Sequence, residues 1–140
     1  MALTPQNTQN AFVQAYSAVF QGDYPKFCVK GLMATSTGSY VYTSGSIVAQ
    51  YTSGPNAGKY VNYNSSGSNG QAVPIGVIVD DYFVNGTAPS DLINIAIAST
   101  VQFYQDQLST QVSGDVAAAI TAWGAFTTQD ASGRNIITCK

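Results

Sequence analysis

Residues 45–86 read GSIVAQYTSGPNAGKYVNYNSSGSNGQAVPIGVIVDDYFVNG, and this stretch decides the fold of the chain. Short apolar runs at 47–48, 60–61 and 75–79 alternate with clusters of Gly, Asn, Ser and Pro. Strands bounded by tight turns give this pattern. An Asn-Gly pair, as at residues 69–70, is the strongest short turn signal because both residues tolerate a positive φ. The stretch therefore predicts a β-meander, in which successive antiparallel strands are neighbours.

The residues before this stretch extend the same pattern. Apolar side chains recur at alternate positions between residues 27 and 51, and Gly31, Gly38 and Gly45 divide them into three runs. A period of two is that of a β-strand. Strands that follow one another so closely favour an antiparallel sheet over a parallel one. We therefore expect strands near residues 27–29, 40–42 and 47–51.

The later residues mix strand and helix signals. Alternate isoleucines in residues 92–101 favour a buried strand over a short helix. Residues 114–126, GDVAAAITAWGAF, predict a short helix, with Asp115 near the positive end of its dipole and Gly124 as its stop. A last strand is predicted over residues 135–138.

Residues 9–20, QNAFVQAYSAVF, carry apolar side chains at helical spacing. We call this set the apolar stripe; it consists of Phe12, Val13, Tyr16, Val19 and Phe20. The residues before the stripe are mostly polar, so they have too few apolar side chains to fold by themselves. Two interpretations stay open for this segment: an arm that needs an external surface to lie on, or a helix that packs on its own sheet.

Few residues of this chain carry a charge. The length of 140 residues suits one domain with a real core, and only 9% of the residues are charged, against about 25% in an ordinary protein. The chain contains no His and no Glu, which removes the commonest general base and metal ligand. Five scattered basic residues in a chain of net charge −2 form no phosphate-binding patch. We therefore expect no catalytic, cofactor, metal or nucleic-acid site.

Membrane and export signals are also missing from the pattern. No apolar run reaches the roughly 18 residues of a transmembrane helix. Residues 1–10 lack the basic region and apolar stretch of a signal peptide, so we expect synthesis in the host cytoplasm. Cys28 and Cys139 have no second pair and no Cys-x-x-Cys spacing. Two thiols without a redox role are the favoured interpretation, and a disulfide joining the two ends is the alternative.

Two other features could be taken for reactive sites. Asp80 and Asp81 are adjacent, and neighbours on a strand point to opposite faces, so a structural role is favoured over a catalytic carboxylate pair. The Gly-rich residues 54–70 match neither phosphate-binding glycine motif and are interpreted as turns.

The aromatic residues are the remaining candidates for a binding surface. Five of the nine tyrosines lie in the predicted strands of the meander or beside them: Tyr40, Tyr42, Tyr51, Tyr60 and Tyr63. Cross-strand packing combined with a protein interface is the favoured interpretation, and a sugar-binding face is the rival one. Trp123 fits a core or subunit-interface anchor. The candidates for a subunit interface are therefore Tyr60, Tyr63 and Trp123.

The order of parts in residues 45–86 carries a resemblance. A strand that starts at a Gly is followed by Gly-Lys-Tyr-Val at 58–61, a Ser/Asn/Gly turn, and Pro-Ile-Gly-Val-Ile-Val-Asp-Asp at 74–81. This order resembles the head decoration proteins of tailed bacteriophages, the family of the lambda decoration protein. A short helix, a Gly and a last strand are also expected in that family, and residues 115–126 resemble this part more weakly.

The resemblance implies a mainly β (α+β) fold, a β-clip-like antiparallel meander with short helices. It implies an N-terminal arm over residues 1–22 and one β-rich domain over residues 23–140. Family members sit as homotrimers at three-fold and quasi-three-fold positions on the outer surface of the virion head, where they bind the major capsid protein and stabilise the shell. No enzyme activity, cofactor, metal, nucleic acid or membrane is implied. By position, the capsid-binding residues would be Leu3, Thr4, Pro5, Phe12 and Tyr16.

A different class of protein remains as the alternative. The tyrosine content and the low charge also suit a carbohydrate-binding β domain, either secreted or displayed on a virion. An enzyme is the weakest interpretation, because only Ser/Lys or Asp-only chemistry is left open by the composition.

Overall fold

The structure is a computed structural model that describes residues 28–34, 40–79, 82–84, 93–110 and 112–139. For residues 40–42 and 82–84 it describes the backbone alone. The predicted N-terminal arm with its helix and boundary near residue 22 lies outside the described residues, as do Asp80 and Asp81.

Strands dominate the described residues, which confirms the prediction of a mainly β fold. One α-helix, α1 (Asp115–Ala122), and two short 3-10 helices, Ala98–Thr100 and Gln105–Gln107, accompany them. The strands are β1 (Cys28–Gly31), β2 (Tyr40–Tyr42), β3 (Ile47–Gln50), β4 (Tyr60–Asn62), β5 (Gly76–Ile78), β6 (Tyr82–Val84), β7 (Ile93–Ile97), β8 (Gln102–Tyr104), β9 (Phe126–Gln129) and β10 (Asn135–Thr138).

Five strands form the larger sheet, in the order β1-β7-β5-β3-β4, and all neighbours are antiparallel. The prediction of antiparallel pairing is confirmed. The neighbour order of a simple meander is wrong, because in this sheet only β3 and β4 are adjacent both in sequence and in space. The side chains of Ile47, Val48 and Ala49 are all fully buried. A strand buried on both faces belongs in the sheet interior, and β3 accordingly has a partner at each edge, β4 and β5.

The central strands send alternate side chains into two different cores, one on each face of the sheet. The first core contains Ile47, Ala49, Tyr63, Val77, Val79, Ala96, Ala98, Phe103, Leu108, Ala119 and Ile137. The second core contains Met33, Val48, Tyr60, Ile78, Ile93 and Ile95. The first core therefore joins the larger sheet to α1 and to the strands near the C-terminus.

Three of those C-terminal strands form a second antiparallel sheet, in the order β8-β10-β9. The predicted last strand coincides with β10, whose Ile136 and Ile137 are buried. Strand β9 escaped prediction because its sequence, FTTQ, has no apolar alternation, and all four residues are exposed at the sheet edge. Strands β2 and β6 pair separately as a two-stranded sheet.

The chain between β4 and β5 crosses the end of β3, because these two strands pair with opposite edges of β3. Asn69 and Gly70 make the predicted turn, with φ of 54° and 95°, but the strands it joins do not pair with each other. The Thr52 N–H donates to the Asn69 carbonyl oxygen at 2.8 Å. A side chain at Gly70 would meet the Gln50 carbonyl oxygen, so the crossing requires glycine there.

Gly70→Ala is expected to destabilise the fold more than the matched substitution Gly58→Ala. Both glycines have a positive φ, 95° and 85°, so each alanine carries roughly 1–3 kcal/mol of backbone strain. Only at Gly70 does the added Cβ also meet backbone atoms, whereas nothing lies within 4 Å of it at Gly58. Urea unfolding measures the difference. Equal losses in the two variants would show that the close approach at Gln50 is not a constraint.

Candidate functional site

A groove of about 420 Å³ opens at one end of the larger sheet. It lies where β3 and β7 end and where β4 begins, and residues that follow α1 and β10 also line it. Its apolar and aromatic walls come from Tyr60, Pro74, Ile75, Ile97, Ala98 and Trp123. Its remaining lining residues are Gln50, Ser99 and Cys139. None of these residues carries a charge at neutral pH.

Trp123, the only tryptophan of the chain, is held in a fixed orientation beside this groove. Its Nε1–H donates to the Pro74 carbonyl oxygen at 2.8 Å. Its ring stacks on Phe103, with centroids 5.7 Å apart and planes inclined by 25°. Because Phe103 is fully buried, the stack ties the tryptophan to the first core. The sequence predicted Trp123 at a helix end. It did not predict the contact with Pro74, because the two residues are 49 positions apart.

Cys139 contributes a thiol that stays protonated at neutral pH, because burial raises its pKa to about 11. The thiolate is the reactive form of cysteine, so Cys139 is a poor nucleophile. The structure has no disulfide between Cys28 and Cys139, and the two-thiol interpretation stays a prediction. Both side chains pack against the first core.

Alkylation of Cys139 by iodoacetamide is expected to be slow in the folded protein near neutral pH. A pKa of about 11 leaves roughly a hundredfold less thiolate than an ordinary exposed thiol has. The rate should rise about tenfold per pH unit until the pH approaches that pKa. Mass spectrometry of the modified peptide measures it, with the urea-unfolded protein as reference. A folded-state rate that matches the unfolded one at the same pH would contradict this expectation.

Asp115 is the one charged residue that the described part of the chain buries, with 4% of its surface exposed. It begins α1, as predicted. Its carboxylate accepts two hydrogen bonds from Ser65, one from the backbone N–H at 2.9 Å and one from the hydroxyl at 2.6 Å. These donors offset the cost of burying the charge. The pKa of nearby Tyr63 is raised, first by burial and then by the Asp115 charge.

The Ser65–Asp115 pair fastens the segment after β4 to the start of α1. Sequence reasoning missed Ser65 because 50 positions separate the two residues. In a hydrolase triad an imidazole moves the proton between serine and carboxylate, and this chain has no histidine. The arrangement is therefore suited to holding two elements together.

Asp115→Ala is expected to lower the free energy of unfolding by about 2–3 kcal/mol, because both Ser65 donors lose a charged partner. Ser65→Ala removes only the hydroxyl bond and should cost less. The adjacent Ser66 is exposed, as Ser65 is, but the Asp115 carboxylate accepts from Ser65. Ser66→Ala is therefore the matched control and should stay within about 0.5 kcal/mol of wild type. Denaturant midpoints measure all three. A loss in Asp115→Ala no larger than in Ser66→Ala would refute the role of the pair.

A second hollow, of about 480 Å³, contains the ion pair between Arg134 and Asp106. The guanidinium donates from Nε to Oδ2 at 3.1 Å and from Nη2 to Oδ1 at 2.8 Å. It also lies over the Tyr104 ring, 3.8 Å from its centroid. Hydrogen bonding from Arg134 lowers the pKa of Asp106. An exposed pair of this kind contributes little to stability. Its two opposite charges cancel, so the pair adds no net charge to the hollow.

The tyrosines predicted at a subunit interface belong to the cores. Tyr60 and Tyr63 are only 9% and 2% exposed, and the Tyr60 ring lies against Gly31, where any side chain would collide with it. This burial argues against both as subunit contacts and corrects the expectation, because almost none of their surface is available to a second copy. The same two rings are unavailable to a sugar. Trp123, half-buried at the groove, stays a predicted interface residue.

The remaining points concern metal sites, membrane-spanning helices and the predicted capsid contacts. Within the described ranges, no group of three or more His, Cys, Asp or Glu side chains could hold a metal ion. No helix in this part of the chain is both long and apolar enough to cross a membrane. The predicted capsid contacts Leu3, Thr4, Pro5, Phe12 and Tyr16 lie outside the described residues.

Comparisons with known proteins found no relative. No protein-family model matches the chain, no curated protein matches it, and no solved structure matches it. Its function must therefore be inferred from its own residues.

Proposed function

We propose that this protein is a capsid decoration protein of a tailed bacteriophage. It binds the outer surface of the expanded head as a homotrimer, at three-fold and quasi-three-fold positions, and stabilises the shell against the pressure of the packaged DNA. It is made in the host cytoplasm and acts on the virion. The observation that carries the proposal is the order of parts in residues 45–86, which resembles the lambda-type decoration proteins.

The architecture of the described residues supports a role as a rigid structural module. Residues 45–86 supply β3, β4 and β5, the centre and one edge of the larger sheet. That sheet is covered by a core on each face, and close-packed interiors of this kind transmit strain with little compression. A protein that must resist outward pressure on a shell needs such stiffness.

The chemistry of the chain supports binding without catalysis. The groove has no charged lining residue, and the Cys139 thiol stays protonated. The buried Asp115 carboxylate already accepts two hydrogen bonds from Ser65. We propose that the protein is not an enzyme and acts by binding energy alone. Many modest contacts to several capsid subunits add through effective concentration, and binding only the expanded lattice stabilises that state by mass action.

We assign the capsid contact to the N-terminal arm, with Leu3, Thr4, Pro5, Phe12 and Tyr16 as the contact residues. The partner is the major capsid protein in its assembled lattice. Trp123 remains the candidate for the contact between subunits of the trimer. Light scattering of the free protein at high concentration, and of protein on shells, tests the trimer. A strict monomer in both states would contradict the proposed trimer.

Expanded shells of the phage that encodes this chain, prepared without it, should bind the purified protein, and unexpanded shells should not. Phe12→Ala and Tyr16→Ala should each weaken attachment by about 1–3 kcal/mol, as expected of interface anchors. Gln14→Ala, in the same segment but off the apolar stripe, is the matched control and should bind as wild type. Co-sedimentation with the shells measures occupancy.

The stabilising role is tested on the same particles after DNA packaging. Decorated heads should rupture at a higher temperature, or after a stronger osmotic shock, than undecorated ones. Equal rupture thresholds at full occupancy would overturn stabilisation while leaving decoration intact. Failure of expanded shells to take up the protein would overturn decoration itself.

A further inference from the structure

Two exposed apolar side chains lie close in sequence to residues that line the groove beside Trp123. Val73, which precedes the groove residue Pro74, is 60% exposed. Phe126, three positions after Trp123, is 50% exposed. Isolated apolar side chains at a protein surface are common, whereas a concave apolar groove is the usual form of a binding site. Because no lining residue is charged, the matching occupant is itself apolar and uncharged.

The N-terminal end of the described fold lies at this same groove. Strand β1 begins at Cys28, which stands opposite Ala96 of β7. The next two residues after Ala96, Ile97 and Ala98, line the groove. The 27 residues that precede Cys28 therefore join the fold beside the groove wall.

The apolar stripe is within reach of this position. Seven residues, 21–27, separate segment 9–20 from β1, and an extended chain of that length spans up to about 25 Å. A helix of the 12 residues 9–20 would be only about 18 Å long. The connection is therefore long enough for the segment to turn back onto the groove.

We infer that residues 9–20 pack into this groove in the free protein, within their own chain, with the apolar stripe against Trp123. The segment contains no charged residue, which matches the uncharged walls. A helix of this length is marginal in water by itself, so it requires a surface, and the groove supplies one. The inference does not depend on the proposed function. If the arm also binds a shell, the groove and the shell compete for the same side chains. A subunit contact through Trp123 in the trimer would likewise require the segment to leave the groove.

Trp123 reports on the groove directly, because the chain has no other tryptophan. In the full-length protein, the Trp123 emission should be shielded from the quencher acrylamide. A variant combining Phe12→Ala, Tyr16→Ala and Phe20→Ala should show a red-shifted emission maximum and a higher quenching constant. The matched control combines Gln14→Ala and Ser17→Ala, which lie off the stripe, and should behave as wild type. Circular dichroism and the unfolding midpoint establish that each variant is folded.

A synthetic peptide of residues 7–22 separates direct packing from indirect effects. Added to the stripe variant, it should restore shielding and shift the emission to the blue, whereas the same peptide with the three alanine changes should not. Identical quenching in wild type and a folded stripe variant would overturn the inference. Shielding that disappears on dilution would also overturn it, because the occupant would then be the segment of a second copy. All measurements are made without shells, so failure of shell attachment leaves this result unaffected.

Discussion

Strand β3 is enclosed on four sides, by β4 and β5 at its two edges and by a separate core on each face. Its successive side chains Ile47, Val48 and Ala49 are fully removed from solvent, and burial of an Ile or Val contributes roughly 1.5–3 kcal/mol each. Covering β3 at both edges forces the chain after β4 to cross the end of β3. The turn at Asn69, the need for glycine at position 70 and the fastening of Ser65 to Asp115 all belong to that crossing.

Local patterns in the sequence were sufficient for much of the secondary structure. Alternation at period two located β2, β3, β7 and half of β1, and the strand predicted over residues 135–138 coincides with β10. Asp115 and Gly124 marked the two ends of α1, and Gly124 has the positive φ of a helix stop. These features are decided within a few residues of chain, by propensity and by which positions must be buried.

The pairing of those elements lies beyond such patterns. Nothing in the local sequence states that β1 pairs with β7 or that β5 lies beside β3, since antiparallel partners of similar composition are interchangeable until packing selects among them. The groove depends even more on contacts between distant parts of the chain. Its walls come from residues between Gln50 and Cys139, and Trp123 and Pro74 meet only through the tertiary fold. The burial of Tyr60 and Tyr63 likewise depends on which faces are covered, and tyrosine content alone could not distinguish a contact surface from a core.

The strand order also sets the sequence of events when the chain is made. β1 is the first described strand to emerge from the ribosome, yet its partner β7 lies more than 60 positions later. At ordinary rates of synthesis β1 therefore waits for a period on the order of seconds with its edge unpaired. Meanwhile β3 and β4, joined by a short connection, can pair early, because closing a short loop is fast. Non-local pairings of this kind make folding slow, so the N-terminal strand is the part of the sheet most exposed to capture by chaperones or by another nascent chain.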